Sequence, residues 1–197
     1  MGPTTDELRD GEAFEQATFS ALDLGGADLG EKEFVRCTFR DVKLAESRWR
    51  RARLEDCVFE GCDLGRFDPA ELLLREVAFK GCKMMGVDWT ALGRFPVMTF
   101  TDCNLRYCSF MGLVARKIPF VRCALVEATF VKADLAEARF EDCDLAGTRF
   151  ESCDLRNATF AGSRELVLDP AGNRVQGARI PLEAAIALAA SFGLKVS

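Results

Sequence analysis

The residues of this chain best suited to chemistry are its nine cysteines, because it contains no histidine. Cys57-x4-Cys62 and Cys103-x4-Cys108 approach the spacing of thiolate zinc ligands, yet no two cysteines form a C-x2-C pair. The lack of histidine removes the usual general base and the commonest metal ligand. Carboxylates are plentiful. Asp23, Asp28, Asp63, Asp134, Asp144 and Asp154 are the ones that could work in pairs as acid and base. No glycine-rich phosphate loop follows a strand and opens a helix. The spacing of these residues decides what they are for, and it has one dominant period.

That period is five. The residues Phe14, Phe19, Leu24, Leu29, Phe34, Phe39, Leu44, Trp49, Leu54, Phe59 and Leu64 start the series. Pro69 interrupts it, and Leu74, Phe79, Met84 and Trp89 continue it. The phase slips by one residue near Gly93 and resumes from Phe95 through Phe100, Leu105, Phe110 and Ala115 to Phe160. If the large residue is position i, all nine cysteines fall at i−2. By chance that would occur on the order of one time in a million. Position i−2 selects a small apolar side chain, and free cysteine behaves as one. The six aspartates all fall at i−1, where a short polar side chain suits a corner. Both sets are therefore read as fold residues, and neither a metal site, a cofactor nor an enzyme is expected.

A stride of five fits neither a strand nor an α-helix. It implies a coil in which one residue of five turns inward. A second period of twenty sorts the large residues into four columns, led by Phe14, Phe19, Leu24 and Leu29. Four columns predict a four-sided, all-β solenoid whose coils pair as parallel strands roughly 4.8 Å apart. About eight coils give a rod roughly 40 Å long. After Phe160 the motif decays, and 161–180 is read as one last degenerate coil. Pro181 then opens an apolar helix that Gly193 closes, the expected punctuation. The division is an N-terminal extension over 1–11, a repeat region over 12–180, and a C-terminal helix and tail over 181–197.

Net charge is −5, unevenly spread. Residues 1–35 carry nine acids against Arg9 and Lys32. Residues 36–56 carry Arg36, Arg40, Lys43, Arg48, Arg50, Arg51 and Arg53 against four acids. Residues 131–160 are acidic again, seven against four. Two readings fit: a solvated outer surface, or a rod with an acidic tip and flank and a basic belt shaped for a charged partner. The chain carries no membrane span and no signal-peptide pattern at its start. Reduced inward thiols suit the cytoplasm.

Cys-Asp-Leu at 62–64, Ala-Asp-Leu at 27–29 and 133–135, and Cys-Asn-Leu at 103–105 resemble the A(D/N)LxX unit of pentapeptide repeat proteins. The resemblance covers about residues 12–180 and implies a right-handed quadrilateral parallel β-helix. Gly177 to Ala185, ending in Phe192-Gly193-Leu194-Lys195-Val196, is similar to the C-terminal module of one subgroup. That subgroup holds the Qnr-type and mycobacterial fluoroquinolone-resistance proteins and the albicidin-resistance proteins. Cys82 to Thr90 looks closest to the albicidin type. The resemblance implies a homodimer through the C-terminal helix, with Leu182, Ala185, Ile186, Leu188, Ala189 and Phe192 at its interface. A capping helix is the other reading, and the two are compatible.

The same resemblance implies a DNA mimic that binds DNA gyrase or topoisomerase IV, not nucleic acid itself. It would protect the enzyme from topoisomerase poisons, with self-resistance as one use. A structural or adaptor solenoid with another protein partner is the alternative. The candidate contacts lie at the two interruptions and on the acidic flank. They are Arg66, Phe67, Asp68 and Glu71, then Arg94 and Pro96, then Glu137, Glu141, Asp142 and Glu151. Phe67 falls off the register, either exposed or packed over the coil. Each interruption is either functional or a tolerated insertion. The basic belt at Arg48–Arg53 would repel a basic DNA-binding saddle.

Overall fold

A computed structural model of the chain describes residues 3–195. Met1 and Gly2 of the N-terminal extension, and Val196 and Ser197 of the tail, lie outside the described residues. The chain is a parallel β-solenoid. Phe19, Phe39, Phe59, Phe79, Phe100, Phe120, Phe140 and Phe160 form eight rungs and hence about seven full turns. Seven of those rungs lie in one parallel sheet, from Thr18–Ser20 to Arg139–Glu141. The Phe14 column forms a second sheet of four strands, ending at Leu73–Arg75. The Leu24 face is joined by single bridges such as Asp23↔Lys43 and Lys43↔Asp63, and the Leu29 face by Asp28↔Arg48 and Arg48↔Asp68. All four faces carry parallel pairing over much of the rod, so the molecule is four-sided.

Position i points inward and stacks on its counterpart one coil away. Phe39 and Phe59 stack with centroids 4.5 Å apart and planes at 3°, and Phe110 and Phe130 at 4.6 Å and 5°. Adjacent columns meet edge to face, as Phe130 and Phe140 do at 5.8 Å and 90°. Both geometries are the ones aromatic quadrupoles favour. The nine cysteines are buried and unbonded to one another. Each thiol rests near backbone carbonyls, for example Cys57 Sγ 3.3 Å from the oxygen of Phe34. The i−1 aspartates fold over the next corner: Asp28 Oδ1 accepts from Gly30 N at 3.0 Å and Asp63 Oδ1 from Gly65 N at 3.1 Å.

The corner itself is position i+2, and there the backbone turns left-handed. Arg36, Asp41, Glu46, Arg51, Asp102 and Arg122 all have φ between +51° and +59°. Glycine recurs at the same position, as Gly26, Gly81, Gly112 and Gly147. A non-glycine residue there costs roughly 1–2 kcal/mol. Gly112 isolates that cost, because a Cβ added to it would meet nothing within 4 Å. Gly112→Ala is expected to lower stability by about 1 kcal/mol through backbone strain alone, as read by chemical denaturation.

The first interruption is not one. Pro69 is buried in the inward slot, and the bridges Arg48↔Asp68 and Asp63↔Lys83 keep the twenty-residue offset beside it. Phe67 is therefore not off register. It sits two places before Pro69, is 3 % exposed, and packs edge-on to Trp89 at 5.5 Å. The second interruption is real: the coil-to-coil offset changes from Asp63↔Lys83 to Lys83↔Asn104 and then returns. Here the expected register fails at Phe95. Its φ is +53° and it is 73 % exposed, so it points outward. The extra residue leaves room only for a close backbone approach: Gly93 N donates to Leu72 O at 2.9 Å. A Cβ on Gly93 would lie 2.6 Å from that same oxygen. The Phe14 sheet stops at this point for lack of a regular strand.

Both ends carry helices. α1 (Thr5–Asp10) begins with a capping box: Glu7 N donates to Thr4 Oγ1 at 3.3 Å, and Thr4 N to Glu7 Oε2 at 2.7 Å. Leu8 of α1 is fully buried against the first coil. The Lys32 ammonium donates to Arg9 O at 2.9 Å and to Gly11 O, binding the helix end. α2 (Leu182–Ser191) follows Pro181 and ends at Gly193, whose φ is +76°. Gly193 N donates to Ala190 O and Leu194 N to Ala189 O, a Schellman ending.

Candidate interaction surfaces

The outward side chains form rows along the rod, one member per coil. This places each cation of the 36–56 stretch beside an acid one coil away. Arg40 pairs with Glu60 at 3.0 Å, Lys43 with Asp23 at 3.3 Å and Arg48 with Asp28 at 3.5 Å. Arg50 pairs with Glu71 at 3.3 Å, Arg51 with Glu31 at 3.2 Å and Arg53 with Glu33 at 2.8 Å. Arg36 pairs with Glu15. The belt is thus neutralised by the acidic coils that flank it. Acidic and basic stretches that look separate along the chain are neighbours in space. Each exposed pair contributes little stability, about 0–1 kcal/mol. Their larger effect is to erase the belt's field at a distance.

The candidate contacts do not gather into one site. Arg66, on the corner between the Leu24 and Leu29 faces, pairs with Glu46. Asp68 is exposed on the Leu29 face and accepts from Ala70 N at 2.9 Å. Glu71 holds both Arg50 and Arg51 at 3.3 Å. Phe67 is core and offers nothing to a partner. Arg94 and Pro96 line a surface hollow of about 270 Å³ with Thr90, Leu92, Phe95 and Val114. Glu137 pairs with Lys117 at 3.6 Å and Glu141 with Arg139 at 3.5 Å. Glu137, Glu141 and Asp142 flank the Phe19 face, while Glu151 lies on the opposite, Leu29 face.

The most enclosed ion pair lies near the C-terminal end. The Asp154 side chain is 12 % exposed. It accepts from Arg156 Nη2 at 2.6 Å and from Arg174 Nη1 at 3.1 Å. The Arg156 guanidinium, aided by the Arg156 backbone N–H, holds the Asp154 carboxyl below the usual carboxylate range. Its folded pKa is thus lower than its unfolded value of about 3.9. The stability it adds is complete above that unfolded value and is lost as pH falls through the folded one. Thermal melts between about pH 2 and pH 6 are expected to fall in the acid range. Asp154→Asn should lower the neutral plateau and flatten that slope.

On α2, Ala184 packs against the core, and Ala185, Leu188 and Ala189 are half-buried. Leu182, Ile186 and Phe192 are 73 %, 41 % and 69 % exposed, with Leu194 beyond them. The helix therefore rests one edge on the last coil and presents an apolar ridge outward. Among the described residues no group of three or more His, Cys, Asp or Glu side chains is placed to hold a metal ion. Among the described residues, no helix is long and apolar enough to cross a membrane. Burial pushes the Cys108 thiol up to about 12, which leaves it protonated and unreactive.

A four-sided parallel solenoid with a five-residue inward stride and charged rows outside is the architecture of a repeat scaffold. The pentapeptide repeat region model matches residues 32–110 and 52–130, and the pentapeptide repeats model matches 120–164. The chain belongs to the pentapeptide repeat family. It is 30 % identical over 113 residues to the quinolone resistance pentapeptide repeat protein QnrB96 of Scandinavium goeteborgense, covering 52 % of this chain and 53 % of that one. It is 27 % identical over 117 residues to the pentapeptide repeat protein QnrB4 of Escherichia coli, 54 % of each. The chain thus spans about half the length of these curated relatives. The solved structure of QnrB1, a plasmid-mediated fluoroquinolone resistance protein, is 24 % identical, with a TM-score of 0.47 over 94 % of this chain and 92 % of that one.

Proposed function

We propose that this protein is a non-enzymatic, dimeric rod that binds a type II topoisomerase, DNA gyrase or topoisomerase IV, and protects it from drugs that trap the cleaved complex. The observation that carries this reading is the 30 % identity to a quinolone resistance protein. The neutralised belt supports it: with Arg48 to Arg53 paired to acids, the cations no longer oppose docking on a basic saddle. A rod of stacked coils with a net charge of −5 then stands in for a DNA segment. The apolar ridge of Leu182, Ile186 and Phe192 supports pairing of two chains end to end through α2. Nine free buried thiols suit a cytoplasmic protein.

The test is a gyrase supercoiling and cleavage assay with the protein titrated to about micromolar, with and without a fluoroquinolone. Such affinity corresponds to about 8 kcal/mol of binding free energy. Fewer trapped double-strand breaks in the presence of drug are expected. Neither inhibition nor protection over that range would sink the proposal.

A further inference from the structure

Among the described residues, twenty-three non-glycine residues have left-handed backbone, almost all at corners. All but four are charged or amide-bearing: Ala21 and Ser152 are small, and Phe95 and Tyr107 are aromatic. A bulky side chain in this region is a genuine outlier. Both aromatics are also exposed, Phe95 by 73 % and Tyr107 by 54 %. Neither buries its ring to offset the strain. The corner sets the backbone of Tyr107, but nothing in the packing of the fold calls for an exposed ring at either position.

Their surroundings agree. Among the described residues, large exposed apolar side chains fall only between Leu73 and Val114 and from Val167 onward. Tyr107 shares one hollow with Met85 and Gly86, and Phe95 shares another with Gly112 and Val114. Met111, 46 % exposed, lies on the Leu29 face between them. The result is an apolar half-girdle across three faces at mid-rod, with the aromatic and methionine content of a protein interface. Both signs of charge border it: Arg66 and Asp63 line the first hollow and Arg94 the second, while Asp68 and Asp88 stand on the Leu29 face. Asp68 and Asp88 each spend one oxygen on a backbone N–H. Arg48, next to Asp68 on the ladder, pairs with Asp28 instead.

We infer that this half-girdle, anchored by Tyr107 and Phe95, docks an apolar segment of the protein partner whose flanking Lys or Arg side chains meet Asp68 and Asp88. The inference rests on the topoisomerase reading for the identity of the partner and adds a contact outside any mimicry of DNA charge.

The experiment compares wild type, Tyr107→Gly, Phe95→Gly and Asp68→Asn/Asp88→Asn. Binding to immobilised DNA gyrase holoenzyme is measured at two salt concentrations, beside thermal melts. The expected result is an uncommon combination for the glycine variants: a melting temperature unchanged or raised, with affinity down fivefold or more. The double Asn variant, which keeps the corner acceptors, should bind more weakly and lose salt dependence. A fall in melting temperature would make the aromatics structural and overturn the inference. So would a loss of affinity smaller than fivefold, or an unaltered salt dependence in the double Asn variant. If wild type itself fails to bind, the topoisomerase reading falls, and this inference with it. If wild type binds and the variants match it, this inference alone fails.

Discussion

Phe100→Ala is expected to destabilise the rod by about 3–5 kcal/mol, the cost of emptying a buried aromatic site that cannot collapse. Phe100 is fully buried and stacks on Phe79 and on Phe120, each at 5.2 Å, while meeting Trp89 edge-on at 5.6 Å. Backbone bonds between coils hold the rungs apart, so the neighbours cannot close the gap. Urea denaturation followed by circular dichroism would read the loss. The site also lies just after the phase slip, where the Phe14 sheet is already broken. Because each coil touches only its neighbours, a weak rung there should uncouple the two halves. A second, earlier transition in the melt is therefore expected alongside the lower midpoint. A change of less than about 1 kcal/mol, well under the usual cost of such a cavity, would mean that the aromatic ladder is not what holds the coils together.

Replacing Leu182 and Ile186 together by glutamate is expected to convert a dimer into a monomer. Both side chains are exposed in the single chain, at 73 % and 41 %, so the fold should tolerate the change. In a paired state the same positions would bury unpaired charge, which costs several kcal/mol. Dissociation should therefore strengthen by about a hundredfold or more. Solution mass measured near 10 µM by light scattering, a range set by ordinary interface affinities, distinguishes the states, and circular dichroism checks the fold. A monomeric intact chain would contradict the dimer. A variant that remained dimeric would move the interface away from the Leu182–Ile186 ridge.

The repeat was legible in the sequence because its inward positions use a narrow set of side chains. Every cysteine, both tryptophans and the Phe19 column stand where the five-residue stride puts them. What the stride hid was the corner. Gly26, Gly81, Gly112 and Gly147 all occupy i+2, and that recurrence was the signal for left-handed backbone. Phe95 reads as inward from its phase alone, but the close approach of Gly93 to Leu72 turns the chain outward there. Phe67 reads as off register because i−2 rarely admits a ring. Pro69 leaves the space, and Trp89 one coil on fills the other side. Thr4 and Glu7 spell a capping box, the one sequence sign that the N-terminal extension begins as a helix.

The candidate surfaces were less legible, since they depend on the twenty-residue offset rather than on neighbours in the chain. A block of arginines after a block of acids reads as a charge dipole along the sequence. Wound into coils, it becomes paired rows. The same offset gathers Tyr107, Met111 and Phe95 at mid-rod, where no local motif announces them. Trp49 and Trp89 show how one position can differ: Ser47 accepts the Trp49 indole N–H at 2.8 Å, while Val87 stands at the matching place and Trp89 Nε1 has no partner.

The most direct measurement is competition for the topoisomerase. A fluorescent DNA duplex bound to gyrase is titrated with the protein, and the anisotropy of the duplex is followed. The account predicts displacement of the DNA at about micromolar protein, the affinity range set out above, and no binding of the protein to the duplex alone. DNA that stays bound to gyrase through that range, or a protein that binds the duplex itself, would contradict it.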